Sequence, residues 1–337
     1  MIYIATLRAE SARELDQNKQ MSRLAVLQSS AICLQLATII IIFIREQSMG
    51  SKIWKWKNIP GVPGRCNDVL YTPPKLQPTH DLLVFFGGDV QDTRENMERH
   101  PDSRKYVKWN LENTATILSE QFPRSHVFIV RPARMLITKN AVYSCFDNFV
   151  PGDKYGTPSF CPMHKALKHL REILLCCLEH VKTLKMGEDI DDEHNIEATN
   201  LNLMGFSKGC AVLNQFLYEF HYYAENPNDN ININNFIKLI KSMWWLDGGH
   251  NGSKNTWITE HSILRSFAKL KINTYVHVTP YQVRDTHRPW IGLEENNFNE
   301  ILQNMGVSVQ RTLHFGDKTR SLSSHFNILT DIGNNAE

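Results

Sequence analysis

Leu201-Asn202-Leu203-Met204-Gly205-Phe206-Ser207-Lys208-Gly209-Cys210-Ala211-Val212-Leu213 runs from an apolar strand pattern, through a serine flanked by glycines, into the start of a helix. A nucleophile elbow needs these residue types in this order. Its serine sits on a strained turn that lifts the hydroxyl above a sheet, and Gly205 and Gly209 remove Cβ atoms where strand and helix approach each other. The backbone N–H of Lys208, at the helix start, is then placed to donate to an oxyanion. Gly-x-Ser-x-Gly arises by chance in roughly one protein in ten of this length. The assignment therefore rests on placement: an apolar strand before the turn, and Val212, Leu213, Phe216, Leu217 and Phe220 at helical spacing after it.

Outward from this turn, strand and helix patterns alternate. Upstream, Leu82 to Phe86 is a short apolar run ended by Gly87-Gly88, a helix is predicted around Trp109 to Phe122, and a second strand over His126 to Val130. Residues 133–160 show no clear period and read as an excursion over the core. Pro162 to Leu184 is helical by its spacing of Leu167, Leu170, Leu174, Cys177, Leu178 and Val181, and the acidic stretch Glu188 to Asn200 reads as a solvated loop. Downstream, strands are predicted over Met243 to Leu246, Thr274 to Thr279 and within Val307 to Phe315. This alternation predicts an α/β-hydrolase-like fold, a mostly parallel sheet with crossover helices on both faces.

In that fold the triad follows in the order serine, acid, histidine. Ser207 is the nucleophile candidate. Asp285, beyond the strand Thr274 to Thr279, is the leading candidate acid, and Asp247, at the end of Met243 to Leu246, is the alternative. His325 in Ser323-Ser324-His325-Phe326 is the base by chain order, with His250, His287 and His314 as rivals. The first strand ends in Phe86-Gly87-Gly88-Asp89, so Gly88 or Asp89 is expected to supply the second oxyanion N–H beside that of Lys208. Tyr143, Phe146, Phe149, Trp244, Trp245 and Trp290 are candidate walls of an acyl pocket, with core packing as the commoner role for such rings.

The 337 residues suffice for one large α/β domain. Net charge is +2, with no dense Lys/Arg block, which argues against a nucleic-acid partner. Seven cysteines at irregular spacing, without a paired C-x-x-C, argue against a disulfide framework and a structural zinc site. Nothing points to a metal or an organic cofactor.

Residues 1–48 lie outside the expected domain. Leu24 to Ile44 is apolar enough to span a bilayer once, which makes it a candidate membrane anchor or targeting segment. The first 20 residues match three basic side chains with three acidic ones, unlike an acid-poor matrix-targeting peptide. Residues 49–80, rich in Pro and Gly, read as a linker, and 81–333 as the hydrolase-like domain.

Several stretches resemble a small family of animal proteins named after open reading frame 69 of human chromosome 2. They are Gly88-Asp89-Val90-Gln91, Trp109 to Leu118, Cys145 to Val150, Gly205 to Cys210, Trp245-Leu246-Asp247-Gly248-Gly249-His250, Ser253 to Trp257 and His277 to Asp285, and they cover roughly residues 80 to 330. The resemblance implies an α/β-hydrolase-like fold and a mitochondrial location, without fixing a substrate. The expected function is that of a serine hydrolase acting on an ester or thioester, with a small acyl or lipid-like substrate. The alternative is a catalytically inactive scaffold that binds a lipid or a partner. If Leu24 to Ile44 is an anchor, the endoplasmic reticulum is the alternative location.

Overall fold

The runs Leu82 to Phe86 and Val127 to Val130 are apolar at successive positions because their strands are covered on both faces. A computed structural model describes residues 52–77, 79–184 and 196–332. In β3 (Asp81–Phe86), Leu82, Val84 and Phe86 face one core while Leu83 and Phe85 face the other; β4 (Ser125–Val130) divides in the same way. The larger core lies under the helices Ala166–Leu184, Cys210–Glu225 and Trp290–Asn304. The smaller one packs the helix Leu111–Gln121 and the C-terminal Phe326, Ile328, Leu329 and Ile332.

Eight strands form the main sheet. With β1 (Trp54–Pro60), β2 (Cys66–Thr72), β7 (Asn200–Phe206), β8 (Ile240–Leu246), β9 (Asn273–Val278) and β10 (Val309–Leu313), the order is β1-β2-β4-β3-β7-β8-β9-β10. All neighbours from β4 to β10 pair in parallel, and β2 pairs antiparallel with both β1 and β4. This strand order, with helices on both faces and an elbow after β7, is the α/β-hydrolase fold. From β3 the chain moves first to β4 on one side and later to β7 on the other. The loops leaving β3 and β7 therefore diverge, and a crevice opens beyond their C-terminal ends. Gly87–Asp89 and Ser207 stand at that crevice.

Two expectations change. Residues 49–80 are not a linker, because β1 and β2 lie within them, and the compact unit begins at Ile53 rather than at residue 81. β1 is an edge strand that alternates Trp54 and Trp56 with Lys55 and Lys57, carries a register shift near Asn58 (φ 54°) and ends at Pro60. The excursion over 133–160 contains a hairpin, β5 (Arg134–Ile137) with β6 (Val142–Cys145), outside the main sheet. The apolar run Leu24 to Ile44 and most of the acidic loop lie outside the described residues; among those described, no helix is long and apolar enough to cross a membrane.

A buried histidine ties the added strands to the body. His169 accepts the Val62 N–H at Nδ1 (3.1 Å), so its proton sits on Nε2 and is donated to Asn67 Oδ1 (2.8 Å). Burial lowers the His169 pKa to about 4, against an ordinary 6.5, with the charges of Arg65 and His164 acting in the same direction. Between those two values the unfolded chain binds the proton and the folded one does not, so stability is lost as pH falls through the window. We expect the melting temperature to drop between pH 6.5 and 4, and His169→Gln to flatten that slope by about 2 kcal/mol across the window. An unchanged slope in parallel denaturation series would refute this assignment.

Candidate active site

Ser207 closes β7 with φ of +51°, a left-handed conformation that costs an L-residue about 1 kcal/mol or more. The flanking glycines are needed for space. A Cβ on Gly205 would stand 2.8 Å from Gly209 O, and one on Gly209 would stand 2.0 Å from Phe86 O. The elbow is thus wedged against the end of β3.

His325, on the helix Leu322–Asn327, is brought over this turn, its ring 4.6 Å from that of Phe206 and 4.8 Å from that of Tyr281. Its Nδ1 donates to Asp247 Oδ2 at 2.6 Å. The Asp247 carboxylate is fully buried and also accepts the Thr279 N–H (2.8 Å) and the Thr279 hydroxyl (2.6 Å). Asp247 itself has φ of +47°, a conformation that Asp tolerates better than most residues. With Nδ1 committed, Nε2 is the free, basic nitrogen. Among the described residues the Ser207 hydroxyl has no hydrogen-bond partner, and it shares with His325 a cavity of about 280 Å³.

Asp285, the expected acid, does not reach the histidine. The helical turn Pro280–Val283 carries it past the end of β9, where it accepts from Arg288 Nε (2.8 Å), Arg320 Nη2 (2.7 Å) and the His287 amide (2.9 Å). Burial pushes its carboxyl up, but the bonds from Arg288 and His287 and the charges of both arginines outweigh this and hold it below the usual carboxylate range. The alternative, Asp247, is the residue paired with His325. It ends β8 directly, and its amide donates to His277 O (2.7 Å), which sets the carboxylate beside Thr279.

The other histidines have structural places. His250 lines the cavity but accepts the Gly252 N–H at Nδ1, contacts Asn255 O at 3.2 Å, and burial lowers its pKa to about 4. His314 bridges His277 (2.7 Å) and Asp331 (2.8 Å), and His287 is exposed.

On the loop after β3, the Gly88 N–H is taken by Gln91 Oε1 (2.8 Å). Gln91 is held in turn by Trp109 O and Thr114 Oγ1. The Gly88 carbonyl accepts the Ser144 hydroxyl at 2.8 Å. Because C=O and N–H of a trans peptide point opposite ways, the Asp89 N–H is turned away from Ser144. It has no partner among the described residues. The half-buried Asp89 carboxylate accepts the Ser144 N–H (2.8 Å). Burial raises its pKa, opposed by the Lys208 charge, the Ser144 bond and the His325 charge. Lys208 is buried, its ammonium bonded to Asn251 Oδ1 at 2.8 Å and in contact with Tyr155 O at 3.5 Å.

Of the six aromatics expected as walls, only Tyr143 lines the cavity. Phe146, Phe149 and Trp245 belong to the larger core, Trp290 packs at its edge, and Trp244 stacks on Tyr275 at 3.7 Å. Sequence reasoning missed Tyr106, Tyr281, Phe326 and Arg288 as walls. Tyr281 lies within His277 to Asp285 and Phe326 directly follows His325, but nothing in either stretch marks a cavity wall, and Tyr106 and Arg288 fall outside the quoted stretches.

The family model described as C2orf69 matches residues 55–195 and 179–308. Among curated relatives, the mouse mitochondrial protein C2orf69 homolog is 35% identical over 314 residues, covering 80% of this chain and 84% of the relative. Human mitochondrial protein C2orf69 is 34% identical, covering 81% and 77%. The shared word in both names agrees with the location that the resemblance implies, and the family match extends toward the N-terminus over β1 and β2. Among solved structures, esterase Est22 aligns with TM-score 0.46 and 15% identity over 85% of this chain and 81% of its own. A Pyrobaculum calidifontis esterase aligns with 0.45 and 10% over 89% of each.

Proposed function

We propose that this chain, which belongs to the C2orf69 family, is a mitochondrial serine hydrolase that cleaves an ester or thioester through an acyl-enzyme on Ser207. The observation that carries this reading is the buried Asp247–His325 pair beside the strained elbow, with Nε2 of His325 free and Ser207 in the same cavity.

In this reading His325 Nε2 takes the proton of Ser207 as Oγ attacks the carbonyl carbon, and Asp247 stabilises the imidazolium. The developing oxyanion accepts the Asp89 N–H, left open by the Ser144 bond to the preceding carbonyl, and the Lys208 N–H in the first helical turn. His325 returns the proton to the leaving oxygen or sulfur. A water then repeats the sequence, giving its proton to Nε2 as it attacks the acyl-enzyme, and Ser207 is released. The Ser207 hydroxyl lacks a hydrogen bond in the resting geometry; in free enzymes such bonds often tighten only when substrate is bound.

A fluorophosphonate probe tests this. We expect a covalent adduct at Ser207 of the full chain, read by intact mass and peptide mapping. Ser207→Ala should abolish it and His325→Ala should slow it about 100-fold or more. A folded wild-type sample that stays unlabelled would favour the scaffold that binds a lipid or partner.

A further inference from the structure

We propose that Arg288 and Arg320, joined through Asp285 beside the cavity, bind an anionic group, phosphate or carboxylate, on the molecule that the site accepts. The proposal rests on the hydrolase reading for its substrate class, although neither arginine is hydrogen-bonded to the reacting serine.

Asp285 is almost fully buried and supplies one negative charge to two guanidinium groups, so the cluster keeps one positive charge unmatched. Arg288 spends Nε on Asp285 and Nη2 on Gln282 Oε1 (3.1 Å); Arg320 spends Nε on Tyr281 O (2.8 Å) and Nη2 on Asp285. Nη1 of each has no protein partner among the described residues. A guanidinium is a rigid planar fork, so fixing two of its nitrogens also fixes where the third points. Two oriented, partly exposed forks joined by a shared carboxylate suit a group with several acceptor oxygens.

Location links this cluster to the chemistry. Arg288 lines the cavity that contains Ser207 and His325. Arg320 lies 4.7 Å over the Tyr281 ring, whose other neighbour is the His325 ring. The surroundings reinforce the sign: over residues 284–288 and 317–320, Arg284, Arg288, Lys318 and Arg320 stand against Asp285 and Asp317 alone. This short strip therefore carries as much net charge as the whole chain, +2. Elsewhere in the cavity lining Asp89 and Asp102 are acidic. Arg288 is the one arginine or lysine among the described residues that line the cavity, so an anionic end of the molecule meets it while the scissile carbonyl meets Ser207. The same cluster explains why an acid in the right chain position is not paired with His325: its carboxylate is saturated by the two arginines.

The test is calorimetric titration of the full chain with inorganic pyrophosphate and, separately, with adipate, with 6-aminohexanol as the cationic counterpart. The same three compounds are tried as inhibitors of p-nitrophenyl hexanoate turnover. We expect at least one anion to bind and to raise the KM for the ester, with affinity about tenfold or more weaker in Arg288→Gln and in Arg320→Gln. Which anion binds tells phosphate from carboxylate. Should either variant fail to melt cooperatively, Arg288→Lys, which keeps the charge and loses the fork, is expected to show a partial loss. The proposal is overturned if neither anion binds the wild type, if the variants bind as tightly as the wild type, or if the amine binds in their place. Anion binding without ester turnover removes the hydrolase reading and leaves the anion site standing. Turnover without anion binding does the reverse.

Discussion

Asp247→Asn is expected to lower kcat for a neutral ester by about 10³- to 10⁴-fold with little change in KM, the size of effect that this replacement has in serine proteases. The reason is the tautomer. Asp247 Oδ2 accepts from His325 Nδ1 and from the Thr279 hydroxyl, while Oδ1 accepts from the Thr279 amide. An asparagine retains Oδ1 for that amide and puts an NH₂ where Oδ2 was. The Thr279 hydroxyl can turn to accept, but His325 must then present a lone pair at Nδ1 and carry its proton on Nε2. That nitrogen has lost its capacity to take the serine proton. Shape and burial are nearly unchanged, so the melting temperature separates this loss from unfolding. Asp285→Asn, by contrast, is expected to alter kcat for the same ester by less than about tenfold, because its carboxylate organises Arg288 and Arg320 and does not touch the imidazole. Steady-state kinetics on both variants decide the matter. Greater damage from Asp285→Asn than from Asp247→Asn would sink the assignment.

The contrast also shows what the sequence could disclose. The elbow was legible because everything it needs is local: a strand, two glycines where space is short, and a helix start within thirteen residues. Chain order gave the place of His325 beside Ser207, because the fold returns its last loop to the end of β7. The carboxylate bonded to His325 was harder to read, since Asp247 and Asp285 each follow a predicted strand and differ only in what lies opposite. The side chain of Thr279, one residue past β9, fixes Asp247, and the helical turn Pro280–Val283 carries Asp285 away; both are tertiary facts. Strands β1 and β2 were hidden for another reason. The edge strand β1 is only partly buried and its alternation is interrupted near Asn58, while β2, though mostly buried, follows Pro60, Gly61, Pro63 and Gly64, which give the segment the composition of a loop. Which of the Gly88 and Asp89 amides stays open depends on Gln91 and Ser144, residues whose side chains engage the amide of Gly88 and the carbonyl that precedes Asp89. Glycine content could say only that some amide there would be open.

Gly209→Ala is expected to cost about 3 kcal/mol or more, the upper range for forcing extra volume into a packed site. The backbone of Gly209 is ordinary, with φ of −61°, so the penalty owes nothing to conformational preference. It comes from contact: the added methyl would stand 2.0 Å from Phe86 O, 2.5 Å from Phe86 C and 2.8 Å from Gly87 O. Those are backbone atoms at the end of a central strand paired on both sides, so no side-chain rotation relieves the clash. Gly306→Ala is the matched control. Gly306 has φ of +81° with open space around its Cβ position, so it should lose only about 1 kcal/mol through backbone strain. In thermal melts the two variants should differ by several degrees, with Gly209→Ala the lower. Because the atoms displaced lead directly into Gly88 and Asp89, whatever fraction of Gly209→Ala folds should also lose kcat, by about 10- to 100-fold if one oxyanion donor is misplaced. A variant that melts like the wild type would mean that the helix after Ser207 does not press on the end of β3. A variant that is destabilised yet fully active per folded molecule would mean that the loop after β3 carries no oxyanion donor.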